Sequence, residues 1–203
     1  MEAYLVTDRS LLADRSLIDL IGRAIGAGVD RIQIREKDLG GGELHRLALQ
    51  ASEAIRGKRS TLFINDRLDV AMAVEASGVH VSRSGLPPDV ARRIGGENLV
   101  IGASAHTLDE ALGAQDAGAD YLFLGPVFHT PSKAAYGPPL GISRLEAILG
   151  KVRLPVYAIG GISPQKLDLL RKLPLAGVAM VSAFARAPSV EDLVREVHGP
   201  LWG

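Results

Sequence analysis

The amino-acid sequence predicts an α/β protein with the (β/α)8 TIM barrel fold, formed by a single domain over residues 1–203. Eight short apolar runs alternate with helix-like stretches, and four of these runs follow a helix end marked by glycine. Eight repeats of strand and helix favour a closed barrel over an open parallel sheet. An open sheet usually has fewer strands and a glycine-rich turn after the first one, whereas the first strand here ends in Val6-Thr7-Asp8.

Most of the eight runs are continuously apolar, which is typical of strands buried on both faces of a parallel sheet. We expect these strands at Ala3–Thr7, Arg31–Arg35, Thr61–Ile64, Gly78–Val81, Leu99–Gly102, Tyr121–Gly125, Pro155–Ile159 and Gly177–Val181. The stretches between them carry apolar residues three or four positions apart, which is the spacing of an amphipathic helix. Examples are Leu17–Ala27, Gly42–Ile55 and Leu108–Ala117.

The composition excludes several classes of protein. Twenty-three basic residues balance twenty-three acidic ones, which argues against nucleic acid or an anionic membrane as the main partner. The absence of cysteine excludes disulfides, thiolate metal sites and a cysteine nucleophile. No apolar run approaches the roughly 18 residues of a membrane span, and the first residues already resemble a strand. We therefore expect a cytoplasmic protein, and a core built from Ala, Val, Ile and Leu, because only 4% of the residues are aromatic.

Two strand ends near the end of the chain predict a phosphate site. Gly160 and Gly161 end the run that begins at Tyr157, and glycines allow backbone N–H groups to approach an anion closely. Val181 and Ser182 follow the next strand, at a potential helix start whose N–H groups would also be free. Phosphate sites of (β/α)8 barrels commonly lie after strands seven and eight. A small phosphorylated ligand is expected there, although the glycines would also suit simple turns.

Polar residues follow the second and third strands, at the end of the barrel where active sites lie. Gln33, Arg35 and Lys37 alternate, so they share one side if the strand extends that far. An Arg fork and a Lys charge are suited to phosphate or carboxylate groups. After the third strand, Asn65 and Asp66 would either bind Mg²⁺ or a ligand, or cap the next helix.

Polar residues also follow the fifth strand. Ser104 lies just beyond the barrel rim and is a candidate ligand residue. Thr107 is a plausible N-cap with Glu110 three residues later, which is the spacing of a capping box. His106 is interpreted first as a structural residue and second as a candidate for proton transfer.

The long segment Pro126–Gly141 follows the sixth strand and is rich in Gly, Pro, Ser and Thr. Loops of this length in compact domains are usually functional. Its anion-binding candidates are Thr130, Ser132 and Lys133. His129 is the histidine of this segment, and imidazole is suited to proton transfer near neutral pH.

Seven motifs in register resemble the thiamin phosphate synthase/TenI superfamily over essentially the whole chain. They are Tyr4-Leu-Val-Thr-Asp8, Gln33-Ile-Arg-Glu-Lys-Asp38, Ile64-Asn-Asp66, Gly78-Val-His80, Ser104-Ala-His106, Gly125-Pro-Val-Phe128 and Ala158-Ile-Gly-Gly-Ile162. The resemblance implies a thiamin biosynthesis enzyme that acts on a small phosphorylated thiazole. An exposed apolar helix face would allow a homo-oligomer.

One of the two chemistries in this superfamily is the synthase reaction, which joins an aminopyrimidine methyl diphosphate to a thiazole phosphate with Mg²⁺ and expels pyrophosphate. By resemblance, Gln33 and Asn65 would face the pyrimidine, Ser104 the leaving group, and Asp66 the Mg²⁺ ion. The pyrophosphate would contact Arg35, Lys37 and Lys133. The thiazole phosphate would contact Gly160, Gly161, Val181 and Ser182.

The stretch after the fourth strand departs from the synthase pattern. Synthases usually read Leu-Gly-Gln-x-Asp-Leu-Pro there, with the Asp as the second Mg²⁺ ligand, whereas this chain carries Arg83 for Gln and Gly85 for Asp. A lost carboxylate and an added cation should weaken a site for Mg²⁺. The departure favours the TenI-type thiazole tautomerase, an isomerase that needs no cofactor, with His129 or His106 transferring the proton. In such tautomerases the histidine precedes Val-Phe, where this chain has Pro126. The alternatives are the Mg²⁺-dependent synthase and a non-catalytic phosphate-binding regulatory protein.

Overall fold

Eight parallel strands form a closed barrel in chain order, with β1 paired to β8. The computed structural model describes residues 1–130 and 138–199. The strands are β1 Glu2–Val6, β2 Arg31–Ile34, β3 Thr61–Asn65, β4 Gly78–Val81, β5 Val100–Ala105, β6 Tyr121–Leu124, β7 Val156–Ile159 and β8 Gly177–Met180. The predicted (β/α)8 barrel is therefore confirmed.

Helices follow the strands and cover the outside of the barrel. They are α1 Leu17–Gly26, α2 Gly41–Ile55, α3 Leu68–Ala73, α4 Pro88–Gly95, α5 Leu108–Asp116, α6 Gly141–Leu149, α7 Leu167–Leu170, α8 Ser182–Ala185 and α9 Val190–His198. Short 3-10 turns occur at Arg9–Leu11 and Pro164–Lys166. Within residues 1–130 and 138–199, no helix has the length and apolar character needed to cross a membrane.

Alternation along each strand divides the apolar residues into two sets. One set faces the helices and forms the larger core; it includes Leu5, Ile32, Ile64, Ile101 and Val178. The other set fills the barrel interior and is formed mainly by Tyr4, Val6, Phe63, Tyr121, Phe123, Tyr157 and Ala179. Because both faces of every strand meet apolar partners, the strands read as continuous apolar runs.

The expectation of an aromatic-poor core is wrong for the barrel interior. Five of the eight Tyr and Phe residues lie there, with neighbouring ring centroids 4.9–6.2 Å apart. Glycine makes room for them: a Cβ on Gly102 would lie 2.0 Å from Cζ of Tyr121. Overall composition could not reveal this, because the few aromatic residues are concentrated in one place.

Candidate functional site

Gln33 lies inside the barrel at the end of β2, where it is paired in register with Val6 and Phe63. Its side chain is fully buried. Neither its amide oxygen nor its amide nitrogen has a well-formed hydrogen bond to the residues that the structure describes. Since buried polar groups are nearly always paired, this amide is suited to a ligand that enters the barrel mouth.

Arg35 and Lys37 follow Gln33 but differ in position. The strand ends at Ile34, so the alternation extends to Arg35 and no further. The Arg35 side chain is half-buried and forms no ion pair within the described parts of the chain, while its backbone N–H donates to Thr7 Oγ1 at 2.9 Å. Lys37 is exposed in the loop beyond. The intervening Glu36 is buried and accepts hydrogen bonds from the backbone N–H of Arg9 at 3.1–3.2 Å.

Asp66 is held in place by two hydrogen bonds. Its Oδ1 accepts from the backbone N–H of Ser82 at 2.6 Å, and its Oδ2 accepts from Nδ2 of Asn65 at 2.9 Å. Its backbone adopts φ 57°, a strained value for a residue other than glycine. Asp66 does not cap α3, whose N-cap is Arg67 without a side-chain bond. Instead it anchors the turn that follows β4.

Lys37, Asn65 and Asp66 share one cavity. It has a volume of about 220 Å³ and is completed by Ile34, Glu36, Leu39, Leu44 and Arg67. The residues predicted after the second and third strands are therefore close in space, with a cation and a carboxylate on the same cavity wall.

In the turn after β4, a side chain at Gly85 would require the Asp66 carboxylate to shift. A Cβ there would lie 2.4 Å from Oδ1 of Asp66. The side chain of Arg83, in the same turn, is largely exposed, and its Nε lies 3.5 Å from Oε1 of Glu110. Throughout the described residues, no group of three or more His, Asp and Glu side chains is arranged to hold a metal ion.

Ser104 is connected to a chain of buried polar groups. Its Oγ lies 2.8 Å from Nε2 of His80, and Nδ1 of His80 lies 3.2 Å from the hydroxyl of Tyr121. The Tyr121 hydroxyl is in turn 2.8 Å from that of Tyr4. Burial, with a smaller contribution from the charge of Arg35, lowers the pKa of His80 to about 3, so its imidazole is neutral at physiological pH. Burial also raises the pKa of Tyr121, which keeps the phenol protonated.

The two histidines predicted to transfer protons have other surroundings. The ring Nδ1 of His106 is in close hydrogen-bond contact with the carbonyl oxygen of Gly125, and its backbone N–H donates to Oε2 of Glu110 at 2.7 Å. The side chain of His129 is exposed, and that of Thr130 is half-buried. Ser132 and Lys133 lie outside the described residues.

Gly160 and Gly161 both adopt left-handed backbone conformations, with φ 95° and 66°. Their turn packs tightly on the segment after β6: a Cβ on Gly161 would lie 2.5 Å from the carbonyl oxygen of His129, and Phe128 N–H donates to the carbonyl of Gly160 at 3.0 Å. Packing alone thus requires glycine here. The backbone N–H groups of Gly161 and Ile162 nevertheless have no acceptor among the described residues, so they are available to an anion.

A groove of about 480 Å³ extends from this turn to the end of β8. Its lining runs from Ile162–Gln165 past Ser182, Ala183 and Arg186 to residues 187–189 and α9, where the carboxylates Asp192 and Glu196 also line it. Val181 immediately precedes Ser182, and the register Ile159–Ala179 brings the two strand ends side by side. The predicted phosphate residues are therefore adjacent, with the cation of Arg186 nearby.

Sequence reasoning missed the role of His80 and its tyrosine partners. The motif Gly78-Val-His80 and the apolar run that begins at Tyr121 assign neither residue a role in the site. One signal was available, because the strand alternation that places Gly78 inward also places His80 inward. Its contact with Ser104, however, joins residues 24 positions apart on adjacent strands and required the structure.

Comparison with known proteins identifies the family. The family described as thiamine monophosphate synthase matches residues 3–184. A thiamine-phosphate synthase of Syntrophomonas wolfei is 40% identical over 195 residues, which cover 96% of this chain and 93% of the relative. A thiamine-phosphate synthase of a Roseiflexus species is 38% identical, covering 96% of this chain and 83% of the relative.

Solved structures give the same result. A thiamine phosphate pyrophosphorylase of Pyrococcus furiosus superimposes with a TM-score of 0.88 at 34% identity, covering 97% of this chain and 93% of that one. A 3-hexulose-6-phosphate synthase, at 17% identity and a TM-score of 0.70, shares the fold.

These matches overturn the prediction of an isomerase, because near full-length relatives at 38–40% identity are named as synthases. The prediction gave Gly85 too much weight. Mg²⁺ is often held by one or two carboxylates together with substrate phosphates, so the loss of one carboxylate does not by itself exclude the synthase reaction. The chain belongs to the thiamine monophosphate synthase family.

Proposed function

We propose that the chain is a thiamine-phosphate synthase. It joins an aminopyrimidine methyl diphosphate to a thiazole phosphate: the bond between the methylene carbon and the diphosphate oxygen breaks, and the thiazole nitrogen bonds to that carbon. Pyrophosphate leaves. The similarity of nearly the whole chain to proteins named as thiamine-phosphate synthases supports this reaction. The observation that carries it is the fully buried amide of Gln33 at the barrel mouth, which lies near the Tyr4 hydroxyl but has no well-formed hydrogen bond within the described residues.

A heteroaromatic amine is a suitable partner for that amide. An aminopyrimidine offers ring nitrogen acceptors and an amino donor, and a side-chain amide can satisfy one of each. Asn65, at the end of the adjacent strand, adds a second amide on the same side of the mouth. Binding there would remove the energetic cost of leaving the Gln33 amide unpaired.

The diphosphate would lie towards Arg35 and Lys37. The guanidinium of Arg35 forms no ion pair within the described residues, and Lys37 is exposed at the rim. Both charges are thus available for an anion. The Ser104 hydroxyl, half-buried at the end of β5, would donate a hydrogen bond to the leaving diphosphate as its charge develops. Ser132 and Lys133 would add further contacts.

Asp66 fits a magnesium ion that is shared with the diphosphate. Each of its oxygens accepts one hydrogen bond in the structure, and a carboxylate oxygen has a further lone pair. This turn supplies no second carboxylate, because Gly85 and its neighbours Ser82–Ser84 carry none. When bound, Mg²⁺ would offset the negative charge of the diphosphate, with Asp66 as its protein ligand.

The thiazole phosphate would bind at the ends of β7 and β8. The free N–H groups of Gly161 and Ile162, together with Ser182, offer several hydrogen-bond donors to a phosphate. Gly160 and Val181 complete the turns that present them. In the closed barrel β1 alone separates β8 from β2, so the thiazole would lie on the same half of the mouth as Gln33.

The reaction can be tested with the two half-molecules and Mg²⁺. We expect thiamin phosphate and pyrophosphate to form in equal amounts, and EDTA to stop the reaction. The Asp66→Ala variant should lower kcat about 100-fold or more, the size expected for losing a charge-stabilising group.

Asp69→Ala is the matched control, since Asp69 is an exposed carboxylate three residues away that pairs with Arg67. It should turn over at close to the normal rate. If the purified chain binds thiazole phosphate but releases no pyrophosphate, the proposed function is wrong and a phosphate-binding protein remains.

A further inference from the structure

We propose that His80 is a positioning residue that holds the Ser104 hydroxyl so that its proton is directed at the departing diphosphate. The inference rests on the proposed function. It is drawn from the continuous chain of hydrogen bonds from Ser104 through His80 and Tyr121 to Tyr4, with O···N or O···O distances of 2.8, 3.2 and 2.8 Å. His80 itself does not touch the substrate.

The neutral imidazole of His80 can donate from only one ring nitrogen. If the Tyr121 hydroxyl donates to Nδ1, then Nε2 carries the proton and donates to Ser104 Oγ. The serine oxygen then acts as an acceptor towards His80, and its own proton is left for the ligand. In the reverse direction, the Ser104 hydroxyl would donate its hydrogen bond to Nε2, and its oxygen could only accept a hydrogen bond from the ligand.

A bound anionic leaving group selects the first direction. All the dipoles then align with their positive ends towards the mouth, an alignment that the positive charge of Arg35 opposes until the diphosphate offsets it. An anionic leaving group stabilises that alignment and opposes the reverse one.

His80 also fixes the rotamer of Ser104. A serine hydroxyl on a strand can occupy three staggered χ1 positions, and a single strong contact selects among them. Without His80, the correct position and the correct hydroxyl direction would each be populated for only part of the time. The loss should appear in kcat, because it concerns the leaving group and not the binding of either half-molecule.

Three variants test this. His80→Leu removes both hydrogen bonds with little change in volume, and we expect kcat to fall at least tenfold while KM for both half-molecules stays within twofold. His80→Gln retains an N–H near the position of Nε2 and should recover most of the activity. In a Ser104→Ala background, His80→Leu should cause no further loss, because its effect passes through the serine.

The proposal is overturned if His80→Leu slows the Ser104→Ala enzyme as strongly as it slows the wild type. It is also overturned if the Gln variant is no better than the Leu variant although both unfold at similar temperatures.

A measurement without turnover separates this proposal from the proposed function. In wild-type protein with ¹⁵N-labelled histidine and pyrophosphate bound, NMR should show His80 as the neutral Nε2–H tautomer from about pH 6 to 8, and Tyr121→Phe should shift it towards the other tautomer. An Nδ1–H tautomer in the wild type with pyrophosphate bound would sink the proposal. Absence of coupling activity, with the Nε2–H tautomer present, would instead refute the synthase assignment alone.

Discussion

His80 shows how a single buried residue links the fold to the site. Its ring packs 4.1 Å from the centroid of Phe123 while both nitrogens reach hydroxyl groups. An apolar environment therefore surrounds a polar group that is fully satisfied, which is the condition under which buried polar groups persist.

The lowered pKa of His80 predicts a pH-dependent stability. The folded value of about 3 lies below the unfolded value of 6.5, so its stabilising contribution is complete above pH 6.5. As the pH falls from 6.5 towards 3, the unfolded chain takes up a proton that the folded chain does not. The contribution should fall by about 1.4 kcal/mol per pH unit in this window.

Urea unfolding of the wild type and His80→Gln at pH 7, 6 and 5 checks this prediction. Between pH 6.5 and 5, the free energy of unfolding of the wild type should fall by about 2 kcal/mol more than that of the variant. Two parallel pH curves would mean that His80 is not desolvated as described.

A single methyl group added at Gly102 should lower the stability of the fold strongly. Its Cβ would lie 2.0 Å from Cζ of Tyr121, and the aromatic rings around Tyr121 leave it little space to move. Gly102→Ala should destabilise the protein by about 3 kcal/mol, the upper part of the usual range for an overpacked core. Gly113→Ala is the control, because no atom lies within 4 Å of its added Cβ. In α5 that change should stabilise by about 0.5–1 kcal/mol, and chemical unfolding measures both.

Strands and helices could be predicted from the sequence more completely than the contacts between them. All eight expected strands occur, and the errors lie at their ends. The fifth strand was expected to end at Gly102 but continues to Ala105. The sequence did not indicate this extension, because Ala103 and Ser104 are not the β-branched residue types that are typical of strands. The proximity of Lys37 to Asn65 and Asp66 follows from adjacent strand ends and could be foreseen.

The contacts of Asp66 with Ser82, and of His80 with Ser104, could not be foreseen, because they depend on turn geometry and on side-chain direction. The same holds for Gly160 and Gly161. Their pattern indicates a turn or an anion site equally well, and only the structure reveals how closely residues 126–129 pack against them.

The N-cap of α5 should make a measurable contribution to the free energy of unfolding. The Thr107 hydroxyl accepts from the backbone N–H of Glu110 at 3.2 Å, as its N-cap position requires. Thr107→Ala should lower the free energy of unfolding by about 1 kcal/mol, whereas Thr107→Ser should keep most of the stability. Equal unfolding midpoints for the two variants would contradict a capping role.

At the scale of the whole molecule, a small chain closes a full barrel by shortening its helices. The helices after β7 and β8 are only four residues each, and α9 then covers that side. The shortened elements leave the groove between Ser163 and Ser182 open at the proposed thiazole phosphate site. The short helices thus both reduce the length of the chain and leave the groove accessible to a ligand.

The two ends of the barrel have separate roles. At the amino-terminal end, Arg31 lies 5.0–5.4 Å from the ring centroids of Phe63, Tyr121 and Tyr157, and its Nε donates to Oε2 of Glu2 at 2.8 Å. This cluster closes the bottom of the aromatic interior. Arg35, four residues later, lies at the opposite end beside the proposed diphosphate site.

The same substitution at Arg31, where β2 begins, and at Arg35, just after β2 ends, should therefore affect different properties. Arg31→Met removes the ion pair and the cation–π contacts, so we expect the free energy of unfolding to fall by about 2 kcal/mol with kcat/KM within twofold of normal. Arg35→Met should change stability by no more than about 0.5 kcal/mol, since its side chain forms no ion pair within the described residues. It should lower kcat/KM for the diphosphate substrate about 100-fold. Urea unfolding and steady-state kinetics give the free energy of unfolding and kcat/KM of both variants. If Arg31→Met loses activity at temperatures where it is fully folded, the two ends of the barrel are coupled through the aromatic interior, and the separation of roles is wrong.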